Sequence, residues 1–123
     1  MLKTDAKVYL SGQISGLTEE QYATDFADAA EFIRSEGFIP VSPLSIPACP
    51  DESCGSDKTF SSGAYQHDWK CYMKYDIIGL FDCDAIFMLE RWENSRGATI
   101  ERTIAEVIGL PIGEMTPQGL IWK

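Results

Sequence analysis

The chain has 123 residues, 45% of them apolar and 24% charged, which suits one globular domain around one hydrophobic core. Its formal net charge of −9 repels polyanions and anionic lipid, so duplex nucleic acid and membrane surfaces are excluded as partners, whereas a small nucleotide held by backbone N–H groups is not. No apolar run reaches the roughly 18 residues that suggest a membrane span, and Met1-Leu2-Lys3-Thr4-Asp5 lacks the apolar stretch of a signal peptide, so a cytoplasmic address is expected.

The first element, Lys7-Val8-Tyr9-Leu10-Ser11, is an apolar run stopped by Gly12 and reads as a buried strand. A glycine-bracketed loop follows, Gly12-Gln13-Ile14-Ser15-Gly16. Thr18 and Gln21 then form the two ends of a capping box, with Leu17 and Tyr22 at the positions of a hydrophobic staple. Tyr22, Phe26, Ala29, Ala30 and Ile33 recur at helical spacing, and Gly37 supplies the stop. Phe38-Ile39-Pro40-Val41 is a short second strand, punctuated by Pro40 and Pro43.

Residues 45–63 form a long loop rich in Pro, Ser, Gly and Asp, of a length usually tied to function or mobility. The spacing predicts a second helix over about residues 66–81, then Ala85-Ile86-Phe87-Met88-Leu89 as a central parallel strand. After a loop at 90–97, a third helix is predicted over roughly 97–108, ended by Gly109 and Pro111. Pro111-Ile112 and Gly119-Leu120-Ile121-Trp122 are short closing strands. The alternation predicts one α/β domain over residues 1–123, a Rossmann-like or flavodoxin-like parallel sheet of four to five strands with helices on both faces. Ligands of such sheets bind outside the carboxyl ends of the strands.

The third helix carries an acid in an unexpected place. Ala98, Glu101, Ala105 and Ile108 share one stripe, with Ile100, Ile104 and Val107 beside it and Arg102 and Glu106 on the outer face. A glutamate within an apolar face needs a partner or a task. Placed in the first helical turn, Glu101 is either a capped or Arg-paired residue or a poorly solvated nucleophile. Ser95 and Gly97 lead into the helix, Ser95 as N-cap or as a phosphate contact and Gly97 as a point of close backbone approach. Tyr9 either fills the core or orients a carboxylate. Asp76 sits on the second helix among Tyr72, Tyr75, Ile77 and Ile78, and Asp84 opens the third strand, either as a turn acid or as one of the substrate contacts. Trp92 either stacks on a base or packs.

Cys49-x4-Cys54 followed by His67-x3-Cys71 has the spacing of a structural zinc module, with His67 and Cys71 one helical turn apart. The alternative is a set of unrelated thiols and a lone surface histidine.

These segments together resemble the nucleoside 2-deoxyribosyltransferase-like superfamily, which includes the 2′-deoxynucleoside 5′-phosphate N-hydrolases. The resemblance runs from Val8 to about Ile112, on Val8-Tyr9-Leu10-Ser11-Gly12, on Asp76 ahead of Cys83-Asp84-Ala85-Ile86, and on Ser95-Arg96-Gly97-Ala98-Thr99-Ile100-Glu101. It implies that Glu101 attacks C1′ of a deoxyribose, that Tyr9 positions Glu101, and that Asp76 is the proton donor near the leaving base. It further implies that Ser95 touches a 5′-phosphate, which the loop from Gly12 to Gly16 covers, and that the chain is a homodimer or higher homo-oligomer. Two features depart from the pattern: the loop at 45–63 is longer and richer in cysteine, and Gln13 offers no positive charge where a phosphate hydrolase tends to place arginine, leaving Arg96 as substitute. The expected activity is hydrolysis of the base–sugar bond of deoxynucleoside monophosphates, with no cofactor for catalysis. The alternatives are base exchange between deoxynucleosides and a non-catalytic nucleotide-binding module.

Overall fold

In the computed structural model, which describes residues 2–45 and 69–123, the apolar run Lys7–Ser11 forms strand β1, buried at every residue after Lys7. Helix α1, Glu19–Ser35, starts at the predicted capping box: the Thr18 hydroxyl accepts the Gln21 N–H at 3.1 Å, and the Gln21 side chain accepts the Thr18 N–H at 2.9 Å. It ends in a Schellman turn, with the Gly37 N–H on the Arg34 carbonyl at 3.0 Å and the Phe38 N–H on the Ile33 carbonyl at 3.2 Å. Gly37 makes that turn at φ 90°, a conformation that disfavours any side chain.

Strand β2, Ile39–Val41, is followed by a single 3-10 turn at Pro43–Ser45. Among the described residues the chain resumes with helix α2, Trp69–Phe81, then strand β3, Ala85–Met88, a 3-10 turn at Trp92–Asn94, and helix α3, Arg96–Ile108. Strands β4, Ile112–Thr116, and β5, Gly119–Trp122, complete one sheet of order β2-β1-β3-β4-β5.

The first four strands are mutually parallel, as expected, and β5 adds one antiparallel edge strand beside β4. The reason is local: Thr116 pairs with Gly119, so only two residues lie between the strands, and a parallel return needs a crossover of about a dozen. The hairpin also makes β4 longer than the Pro111-Ile112 fragment predicted from sequence.

Alternation along β1 divides the core. Val8 and Leu10 pack with Phe26, Ile33, Phe87 and Leu89 on the α1 face. Tyr9 packs with Leu80, Ile86, Met88, Ala98 and Ala105 on the face covered by α2 and α3. Right-handed crossovers require this arrangement, because the chain leaves β1 in one direction for β2 and returns past it for β3 and β4. The connections after β1 and β3 therefore diverge to opposite faces, opening a crevice between those two strands at their carboxyl ends.

The hairpin is seated by close contact. A Cβ added to Gly113 would lie 2.7 Å from Cζ3 of Trp122, whose ring meets Phe38 edge-on at 5.9 Å. Gly113→Ala is expected to destabilise the fold by about 1–3 kcal/mol, read as a lowered midpoint in denaturant titration.

Two expectations for α3 are corrected. Its buried stripe is Ala98, Glu101 and Ala105, whereas Ile108 is 42% and Val107 80% exposed, so the apolar spacing overstates the width of the buried face. Arg102 is also not simply an outward residue. Its guanidinium pairs with Glu106 at 2.5 Å and Glu114 at 3.3 Å and stacks 4.9 Å from the Trp92 ring, tying α3 to β4.

Candidate active site

Tyr9 and Ser11 occupy alternate positions of β1 and so share the face toward α3. The Tyr9 hydroxyl donates to Glu101 Oε2 at 2.5 Å, and the Ser11 hydroxyl donates to Glu101 Oε1 at 2.7 Å. Both donors are fully buried, and Glu101 is only 5% exposed. One strand thus supplies a donor to each oxygen of a carboxylate that water barely reaches.

Helix α3 sets that carboxylate in place. Ser95 is its N-cap, accepting the Ala98 N–H on its hydroxyl at 3.1 Å. The helix accordingly starts at Arg96, and Glu101 falls in the second turn rather than the first. The field of the helix end fades within the first turn, so the side-chain donors bear more of the ionised form's stabilisation than the sequence suggests. Burial pushes the Glu101 carboxyl above the usual range, while the Tyr9 and Ser11 hydroxyls pull it back down. Burial, followed by the nearby charges of Glu101 and Asp76, pushes the Tyr9 phenol far up, so it stays protonated as a donor.

Asp76, half-buried on α2, is the second acid. Burial, and then the negative charge of Glu101, push it up to about 7. Near neutrality it therefore holds a proton part of the time beside a carboxylate.

The Leu89 N–H bonds the Ser11 carbonyl at 2.8 Å, and a Cβ on Gly12 would come within 2.8 Å of the Leu89 Cβ, so the ends of β1 and β3 touch there. The Gly12–Gly16 loop is braced internally: Gln13 Nε2 donates to the Ser15 carbonyl at 3.1 Å, the Leu17 N–H meets the Ile14 carbonyl at 3.2 Å, and Gly16 turns at φ 87°. Gly97 fits closely under α2, where an added Cβ would lie 3.3 Å from Met73 Sδ.

Some sequence candidates stand elsewhere or are otherwise engaged. Asp84 lies at the amino end of β3, where its carboxylate accepts the Lys7 N–H at 2.9 Å; this corrects its grouping with the substrate contacts, since the crevice is at the opposite end. Trp92 packs on Arg102 and against the core, a role for the ring that competes with base stacking. Of the proposed zinc ligands, Cys49, Cys54 and His67 lie outside the described residues, and Cys71 is half-buried in the first turn of α2. A groove of about 1230 Å³ lies between α1, the end of β2 and α2 and is lined by none of Tyr9, Ser11 and Glu101.

Ser11 is the partner of Glu101 that sequence reasoning missed. Its signal was present: a hydroxyl two places after Tyr9 in an otherwise apolar buried strand must face the same way and find a partner.

Residues 6–114 match the family described as a domain of unknown function, DUF4406. A search of curated proteins returned no match. Among solved structures, a 2-deoxyribosyltransferase from the psychrotolerant bacterium Bacillus psychrosaccharolyticus aligns with a TM-score of 0.61 and 22% identity, over 91% of this chain and 73% of that one. A conserved protein from Enterococcus faecalis V583 aligns with a TM-score of 0.56 and 16% identity, over 90% of this chain and 63% of that one. The chain belongs to the DUF4406 family and is built on the fold of the nucleoside 2-deoxyribosyltransferases.

Proposed function

We propose that this protein is an N-glycosidase that hydrolyses the base–sugar bond of 2′-deoxynucleoside 5′-monophosphates through a glycosyl–Glu101 intermediate. The observation that carries the reading is the buried Glu101 carboxylate gripped at both oxygens by Tyr9 and Ser11, with Asp76 close enough for their charges to couple. The likeness of the fold to a 2-deoxyribosyltransferase supports it.

In this scheme a Glu101 oxygen bonds to C1′ as the C1′–N bond breaks. The bond pair leaves with the base, and Asp76 gives its proton to the departing ring. Water then attacks C1′, its proton passing to the Asp76 carboxylate, while the Glu101–C1′ bond pair returns to Glu101. Between the two steps Asp76 switches from acid to base and Glu101 from nucleophile to leaving group, with side chains and water as the participants.

One observation favours base exchange as a second reading. Two arginines that follow β3 are already engaged, Arg91 with Asp25 at 3.7 Å and Arg102 with Glu106 and Glu114, which leaves less positive charge for a 5′-phosphate. The two readings part on their products. With a deoxynucleoside monophosphate alone, the hydrolase is expected to release free base and deoxyribose phosphate, measured by chromatography. Turnover only when a second free base is added, yielding a new nucleoside, would instead establish the transferase.

A further inference from the structure

We propose that Ser11 is a positioning residue for the nucleophile, fixing the plane of the Glu101 carboxylate jointly with Tyr9 and holding it ionised before substrate arrives. The inference rests on the reading of Glu101 as nucleophile, but the physical claim about the carboxylate stands by itself. Three observations carry it.

The first is the division of the carboxylate: Ser11 holds Oε1 at 2.7 Å and Tyr9 holds Oε2 at 2.5 Å. A single donor leaves a carboxylate free to turn about its last bond, whereas donors on both oxygens set the plane. Each oxygen accepts in about two directions, so one hydrogen bond apiece leaves a lone pair for C1′.

The second is that the Ser11 hydroxyl is placed by the sheet and not by the neighbouring loop. Ser11 ends β1 in register with Met88 of β3, and its carbonyl accepts the Leu89 N–H at 2.8 Å. The third is its complete burial. A donor shielded from water acts on a charge more strongly than the same donor at the surface.

Among the described residues the groups facing Glu101 are few. Strand β1 presents Tyr9 and Ser11, α2 presents Asp76, and β3 contributes the apolar Ile86 and Met88 to the same core. Among the described residues no cation is a cause of the Glu101 shift, and the two hydroxyls favour its charged form. The role extends to the second step: as the Glu101–C1′ bond breaks and its electron pair returns to the carboxylate, the Ser11 hydrogen bond becomes charge-assisted again and strengthens.

The test is an infrared titration of the Glu101 carboxyl, identified by its loss in Glu101→Gln, in the wild type, Ser11→Ala and Ser11→Cys. Removing a hydrogen bond to a charged group is expected to weaken Glu101 as an acid about ten- to a hundredfold in Ser11→Ala, with the weaker thiol donor in between. The acid limb of kcat/KM should move to higher pH in the same order. If Ser11→Ala does not fold, Ser11→Cys alone decides, and its carboxyl must titrate above that of the wild type. An unmoved titration overturns the proposal, whatever happens to activity. If the titration moves but the wild type releases no base, the proposed function fails while the role of Ser11 on the carboxylate stands.

Discussion

Glu101→Gln is expected to lower base release by about a thousandfold or more while leaving a folded protein that still binds nucleotide. Loss of a covalent nucleophile costs at least this much in enzymes whose catalytic groups act as a unit. Glutamine keeps the shape of the side chain and one carbonyl oxygen, so either Tyr9 or Ser11 keeps its acceptor; the serine hydroxyl can rotate to receive the new amide N–H. The check pairs chromatographic assay of free base with mass spectrometry of the wild type quenched during turnover, where an added deoxyribosyl phosphate should appear and be absent from the variant. Unchanged function in Glu101→Gln would mark the chain as a binding module that keeps the fold without the chemistry.

Asp76→Asn is the second large effect. Loss of the proton donor is expected to cost about 10²–10⁴-fold in kcat/KM for natural bases. A substrate whose leaving group needs no proton should lose far less. In the wild type the donor must be protonated, so activity should fall as pH rises through about 7, and this alkaline limb should vanish in Asp76→Asn. The same acid affects stability. A carboxyl raised in the folded state contributes stability that is fully present below its ordinary range and is lost as pH climbs through about 7. Asp76→Asn is therefore expected to be more stable than the wild type at about pH 8, by about 1–2 kcal/mol after allowing for solvent screening of this half-buried group, with the advantage gone below about pH 4. Thermal unfolding across pH measures this directly.

Much of this arrangement was legible in the residues. The apolar runs and capping signals located the strands and helices, because burial and local hydrogen bonding act over a few residues. Glu101 declared itself by its place in an apolar stripe, and Tyr9 by its place in a buried strand. Other features depended on contacts between distant segments. Ser11 reads as the polar end of a strand until α3 is laid over it. Arg102 reads as a surface cation until β4 brings Glu114 to it. Asp84, by contrast, precedes its strand in the chain, so its place at the amino end, away from the crevice, was legible without the structure. The antiparallel return of β5 was set by two turn residues, Pro117 and Gln118, whose brevity carries more weight than the β-α alternation before them.

The donors to Glu101 come from β1, an interior strand with β2 on one side and β3 on the other, whereas β1 and β3 each run on into a loop at the crevice. Reactivity and selectivity are thereby assigned to separate parts of the chain. Loops tolerate substitution and insertion far more readily than a central strand does. Variation in those loops can change what reaches the crevice, while the Tyr9–Ser11–Glu101 cluster is inherited intact.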